Sequence, residues 1–286
     1  MNPHMPPVCL AIGTSDSSGG AGVQSDLKTF LAYQCYGASV VVALTAQNLL
    51  TIKGMHSIPD GFVRTQLEAI SEDLPISVVK IGFVPSVGAI RVVARWLRER
   101  PQLPVVLDPV AADSRGIPLL QPEVVEALCD ELMPRATVTT PNRFEAALLA
   151  GMDECLSVED MQEAAQAIFR RFGCPVVVTG GGLANKTLDV LAGLDGVSHF
   201  ETPTCERPKV HGAGSCHSAA IAACLARGDS LREAIYNAKL YVSAAIAAAP
   251  SFGHGRSVLW HQIAINELGA EITPLTNAVL SLERAE

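Results

Sequence analysis

The sequence predicts an α/β protein built on a central, mostly parallel sheet flanked by helices. Short β-branched runs alternate along the chain with segments whose apolar residues recur at helical spacing. The runs are hydrophobic throughout rather than at every second residue, the pattern of strands buried on both faces. Two glycine-rich turns each lead into a helical pattern, and such helix starts offer unpaired N–H groups and a positive dipole end to anions.

In chain order, Val8–Ile12 reads as the first strand, and the turn Asp16-Ser-Ser-Gly-Gly-Ala-Gly22 opens an amphipathic run over Val23–Tyr33. The strand Ser39–Thr45 precedes the helix Phe62–Ser71, Val78–Phe83 precedes Gly88–Glu99, and Val105–Asp108 precedes Glu123–Met133. Thr137–Thr139 is followed by the helices Arg143–Ala150 and Glu159–Phe172, and Val176–Thr179 ends the series. Ser157 with Asp160, and Ser230 with Glu233, read as capping boxes, while Gly228 after Arg227 suits a helix C-terminus. His211-Gly-Ala-Gly-Ser-Cys-His starts a small-residue helix whose first amides suit a phosphate. The alanine-rich Ala244–Ala249 continues a packed helix, which Pro250 and the segment Ser251-Phe-Gly-His-Gly-Arg256 end. No repeat or linker divides the chain, so residues 1–286 read as one domain, with 256–286 a tail whose weak pattern leaves its packing open.

With 286 residues, 49% hydrophobic and 17% charged, the chain can bury a large core. A net charge of −8 excludes an electrostatic nucleic-acid binder and favours a small-molecule partner. Eight cysteines without a Cys-x-x-Cys indicate neither a zinc site nor a disulfide framework. With no signal-like leader and no apolar run long enough for a bilayer, a soluble cytoplasmic protein is expected.

In open α/β sheets ligands lie beyond the carboxyl ends of the strands. The polar residues there are Thr14, Ser15 and Asp16, then Gln47 and Asn48, Asp108, and Asn142 with Glu145. Each has an ordinary structural reading: Asp16 shapes a turn, Asp108-Pro109 exits a strand, Asn142 caps a helix. Together, carboxylates and an amide on converging strand ends suit a magnesium–nucleotide site, with Asp108 and Glu145 on the metal side. Gly180-Gly-Gly-Leu-Ala-Asn-Lys-Thr187 departs from a Walker A loop only at Asn185, but that loop must open a helix. Here Leu188-Asp-Val-Leu and Asp195-Gly196 come next and read as strand and turn.

The segments Ser15–Phe30, Ala43-Leu-Thr-Ala-Gln-Asn48, Lys80-Ile-Gly82, Leu107-Asp-Pro-Val110, Thr140-Pro-Asn-Arg-Phe-Glu145 and His211-Gly-Ala-Gly with Ser218-Ala-Ala-Ile occur in this order between Val8 and Gly255. In them the chain resembles the hydroxymethylpyrimidine and phosphomethylpyrimidine kinases of thiamine biosynthesis, within the ribokinase-like superfamily. The resemblance implies a three-layer fold, ATP and Mg2+ as cofactors, a pyrimidine alcohol as substrate and a homodimer. It places Gln47 on the aminopyrimidine, to which one amide offers both a donor and an acceptor. Ala21, Thr45 and Val110 would line the pocket, with Thr14 and Phe83 beside the ring. Gly212, Ala213 and Gly214 would cradle the transferring phosphate. Asn142 and Glu145 would hold phosphate and magnesium through water, with Thr179 and Gly181 also on the nucleotide side.

The chain departs from the family at Ser215, where cysteine is usual and the wider superfamily has aspartate. It departs also at Thr14, commonly glycine, at Phe83, commonly methionine, at Val210, often threonine, and at Thr179, often lysine. Ser215 or Cys216 would orient or deprotonate the attacking oxygen, Ser215 ranking first because Cys216 points about a hundred degrees around the helix. Two other readings stand beside this one: a pyridoxal kinase-like activity, and a catalytically silent pyrimidine-binding protein suggested by Ser215, Val210 and Thr179.

Overall fold

Side chains alternate across the strands and so feed two hydrophobic cores, one on each face of a nine-stranded sheet. The computed structural model describes residues 5–180, 186–203, 210–252, 254–265 and 272–274. On β1 (Val8–Asp16), Leu10 and Ile12 enter the first core while Cys9 and Ala11 enter the second. Covering the first are α2 (Asp60–Asp73), α3 (Val87–Arg98), α4 (Pro122–Glu131), α5 (Arg143–Ala150) and α6 (Val158–Phe172). Covering the second are α1 (Gly22–Ala32), α7 (Ala213–Arg227) and α8 (Leu231–Ala247). The small side chains Ala219, Ala220, Ala222 and Ala223 are fully buried, so α7 is apolar nearly all round and sits as an interior helix.

The remaining sheet strands are β2 (Tyr36–Gln47), β3 (Ile52–Ser57), β4 (Ile76–Ile81), β5 (Val105–Leu107), β6 (Val138–Thr139), β7 (Val176–Thr179), β8 (Lys186–Gly193) and β9 (Gly196–Pro203). Their order is β3-β2-β1-β4-β5-β6-β7-β8-β9, parallel from β2 to β7 and antiparallel at both edges. Chain direction across the sheet reverses between β1 and β4, which opens the ligand crevice of such sheets at their carboxyl ends.

The predicted strands and helices are present, with shifted ends. β1 runs on through Thr14, Ser15 and Asp16, so these residues belong to the strand itself. The sequence reading omits β3, which is exposed along its whole length and so carries no burial pattern. The turn before it is set by Asn48, whose Oδ1 accepts the Leu50 and Thr51 amides, each at 2.9 Å. β8 is a strand antiparallel to β7, as the residues after Lys186 predict, so no helix opens where a Walker A loop needs one. The capping boxes at Ser157 and Ser230 form as predicted, and Gly228 ends α7 in the left-handed region. The tail is partly anchored: β11 (Ser257–Val258) pairs in parallel with β10 (Val210–His211), and Leu259 and Ile263 are buried in the second core.

Candidate functional site

The two glycine-rich turns meet. Gly212 precedes α7 with φ +88°, and a Cβ there would stand 1.8 Å from the Gly20 carbonyl oxygen. A Cβ on Gly20 would in turn stand 2.6 Å from Cδ2 of His211. Only glycine lets these backbones come so close. The first intrahelical bond of α7 runs from the Cys216 amide to the Gly212 carbonyl at 2.9 Å. The amides of Ala213, Gly214 and Ser215 therefore precede the helix ladder and are left for a ligand or water.

Asp16 ties the first turn to the second. Its Oδ1 accepts the amide and hydroxyl of Ser18, both at 2.8 Å, while Oδ2 accepts the Ala21 amide at 3.0 Å and lies 2.9 Å from His211 Nε2. Burial favours protonation of this carboxyl, but the His211 and Ser18 contacts outweigh it and hold the pKa at about 2. Gln47, half-buried at the end of β2, reaches the same imidazole at 3.1 Å and Thr45 Oγ1 at 3.2 Å. Thr14 donates to the Phe83 carbonyl at 2.9 Å, linking the ends of β1 and β4. Thus Gln47, Thr45, Thr14, Phe83 and Ala21 all lie on the crevice edge beside the start of α7.

Asp108 lies at the other side of that start. It is buried, accepts the Ser218 hydroxyl of α7 at 3.2 Å, and would lie 4.0 Å from a Cβ on Gly214. Burial raises its pKa, opposed by Lys80, Ser218 and the Val110 amide. Val110 has φ +44°, a costly conformation for a β-branched residue, and its amide faces the Asp108 carboxylate.

Asn142 and Glu145 form the capping box of α5, so the structural reading of Asn142 holds. The same pair clamps the segment after β5: Asn142 Nδ2 donates to the Ala112 carbonyl at 3.1 Å, and the Ala112 amide donates to Glu145 Oε1 at 3.2 Å. Thr179 is adjacent, its amide donating to the Pro141 carbonyl at 2.9 Å. Gly181 falls outside the described residues. Burial and then the Asp108 charge push Glu145 from 4.5 to about 8, against three backbone amides that favour its ionised form.

A raised carboxyl pKa gives a definite sign. Folding takes up a proton at Glu145, so its contribution is complete below the unfolded value of 4.5 and is lost as pH rises through about 8. In metal-free protein the melting temperature should fall between about pH 5 and pH 8, and Glu145→Gln should flatten that slope. An unchanged slope in the variant would remove Glu145 as its source.

Two buried carboxylates disfavoured in their ionised forms suit a divalent cation. Mg2+ takes one or two carboxylates together with substrate phosphates and keeps several waters, and this pair could supply those carboxylates.

Placing Cys216 among the catalytic candidates is corrected. Its side chain is fully buried, lies 3.6 Å from Thr29 Oγ1 and is pushed up to about 12 by burial. One residue of helical rotation separates it from Ser215, which is only half-buried at the helix start. His217 is likewise buried, with neither ring nitrogen hydrogen-bonded and Nε2 3.6 Å from Asp189 Oδ2, and burial lowers its pKa against the pull of that carboxylate.

Sequence reasoning assigns no role to Lys80 or His211. Lys80 is buried on β4 with its ammonium 2.9 Å from both oxygens of Asp26. A lysine inside Val78–Ile81 is a legible signal, because a charge in a doubly buried strand requires a counter-charge.

Residues 16–260 match the phosphomethylpyrimidine kinase family. The chain belongs to that family. The hydroxymethylpyrimidine/phosphomethylpyrimidine kinase of Rhizobium meliloti is 41% identical to it, over 90% of this chain and 97% of that one. The thiamine biosynthesis bifunctional protein ThiED of Geobacter sulfurreducens is 39% identical over 91% of this chain, which spans 53% of that longer protein. Among solved structures, the ADP complex of Bacillus subtilis pyridoxal kinase superposes with a TM-score of 0.84 at 37% identity, over 90% of this chain and 98% of that one. The fold is the ribokinase-like one, and this phosphomethylpyrimidine kinase family member is a kinase. Among the described residues no helix is long and apolar enough to cross a membrane.

Proposed function

We propose that the protein transfers the γ-phosphoryl group of ATP to the hydroxymethyl group of 4-amino-5-hydroxymethyl-2-methylpyrimidine, and then to its monophosphate, in thiamine biosynthesis. The observation that carries this reading is the convergence of Gln47 and the α7 start, bridged by one imidazole 3.1 Å from the amide. Gln47 would grip the ring nitrogen and amine. The Ala213, Gly214 and Ser215 amides and the helix dipole would stabilise the equatorial oxygens during in-line transfer. Ser215 would orient the attacking alcohol, and Thr14, Ala21, Thr45, Phe83 and Val110 would shape the ring pocket. Asp108 and Glu145 would hold Mg2+, which supplies charge neutralisation at the phosphates when bound. Asn142 and Thr179 would face the nucleotide.

We assign the protein to the cytoplasm as a homodimer. Seven described cysteines are free and buried, which suits a reducing compartment. Leu44, Ile52 and Met55 are exposed on β2 and β3, an apolar set that a second copy would cover.

Gln47→Leu should weaken pyrimidine binding about tenfold or more, while ATP binding changes less than about twofold, by calorimetry with each ligand. Equal loss of both would remove Gln47 from the substrate shell. The similarity to a pyridoxal kinase keeps pyridoxal as a second alcohol, and parallel turnover assays with the two alcohols decide between them. Pyrimidine binding with no ATP-dependent product would favour the silent-binding reading.

A further inference from the structure

Only one orientation of the Gln47 amide avoids setting a donor against a donor at His211. The Thr45 hydroxyl has a single proton, and the Ser15 carbonyl at 3.0 Å can only accept it. Thr45 Oγ1 must therefore accept from Gln47, so the amide, whose Oε1 stands 3.2 Å away, has to turn over about its last side-chain torsion to bring its nitrogen there. On the other side, Asp16 is ionised and can only accept, so His211 Nε2, 2.9 Å from it, carries a proton. That N–H cannot accept from the Gln47 Nε2 3.1 Å away, whereas the turned amide sets its carbonyl oxygen there, sharing the one proton with Asp16. The opposite assignment would set a bare imidazole nitrogen against a carboxylate. The ring itself is fixed by its packing on Gly20, where a Cβ would come within 2.6 Å.

We propose that His211, held by Asp16, is a specificity-positioning residue that sets Gln47 with its oxygen on the α7 side and its NH2 on the Thr45 side. The fixed amide then accepts from a ring amine nearer α7 and donates to the adjacent ring nitrogen nearer β1. It selects aromatic alcohols that carry an amine next to a ring nitrogen, in a single orientation. This selection rests on Gln47 contacting the substrate, whereas the orientation of the amide does not.

Two measurements test the proposal, one without substrate. In 15N-labelled protein the His211 ring should be protonated at Nε2, and the Gln47 NH2 protons should show cross-relaxation to Thr45. A ring protonated only at Nδ1 overturns the positioning role. In steady-state kinetics the wild type should prefer 4-amino-5-hydroxymethyl-2-methylpyrimidine over its deaminated analogue by about tenfold or more in KM. His211→Leu should reduce that ratio to about threefold or less with KM for ATP unchanged, and His211→Gln, which keeps a donor, should recover most of it. Thermal melts of each variant separate this from unfolding. A His211→Leu enzyme that keeps the full ratio, or that loses only kcat, contradicts the proposal. A wild type that phosphorylates neither pyrimidine instead contradicts the substrate reading, and the labelled-ring measurement still decides the role of His211.

Discussion

Lys80→Met is expected to destabilise the protein by about 3–5 kcal/mol, the usual cost of leaving a buried charge without its partner. The ammonium sits 2.9 Å from each oxygen of Asp26, and both side chains are only 1% exposed. Burial already pushes Asp26 up to about 6 despite Lys80, and Asp108 adds to the repulsion. Without the lysine, two buried carboxylates would face one another across the base of the α7 start. Asp26→Leu combined with Lys80→Met removes the orphaned charge and should recover most of the loss. Chemical unfolding of both variants beside the wild type checks this. A single variant within about 1 kcal/mol of wild type, or a double variant worse than the single, would contradict it.

Gly212→Ala carries the second large effect, and it reaches both stability and turnover. The left-handed backbone alone costs about 1–2 kcal/mol for a residue with a side chain. A Cβ 1.8 Å from a backbone oxygen must also displace one of the two glycine turns. The combined loss should exceed about 3 kcal/mol. Because a shift near 1 Å misaligns the amides, kcat should fall about a hundredfold or more in the folded fraction. Gly228 supplies the control: its φ of +100° is similarly left-handed, yet a Cβ there meets nothing within 4 Å. Gly228→Ala should therefore cost about 1–2 kcal/mol and leave turnover intact. Equal behaviour of the two alanine variants would show that the contact between the turns is immaterial.

Much of this arrangement is legible along the chain, because strand ends, caps and glycine turns are local features. The runs ending near Asp16, Gln47, Asp108 and Asn142 are hydrophobic enough to be read as buried strands, and a parallel sheet brings their ends to one edge. The separation of Ser215 from Cys216 follows from helical rotation alone, and burial of Cys216 against Thr29 agrees with it. The features that escape depend on contacts between distant residues. His211 and Asp16 stand 195 positions apart, and nothing in the spacing of either announces the other. Lys80 is conspicuous as a charge in an apolar run, but the sequence does not say which carboxylate faces it. β3 is missed because an exposed edge strand lacks the periodic burial that identifies the others. Asn142 and Glu145 cap α5 and clamp the segment after β5 at once, so their structural reading is seen directly and leaves their proposed functional one to the experiments above.

In the proposed reaction the helix start near Gly212 receives a phosphoryl group beside a ring held by Gln47. The decisive measurement is to incubate the protein with ATP, Mg2+ and 4-amino-5-hydroxymethyl-2-methylpyrimidine and to weigh the products by mass spectrometry. The expected products are ADP together with the pyrimidine monophosphate and then the diphosphate, each lost in Gln47→Leu at the same substrate level. Intact pyrimidine and ATP after incubation with folded wild-type protein would contradict this reaction.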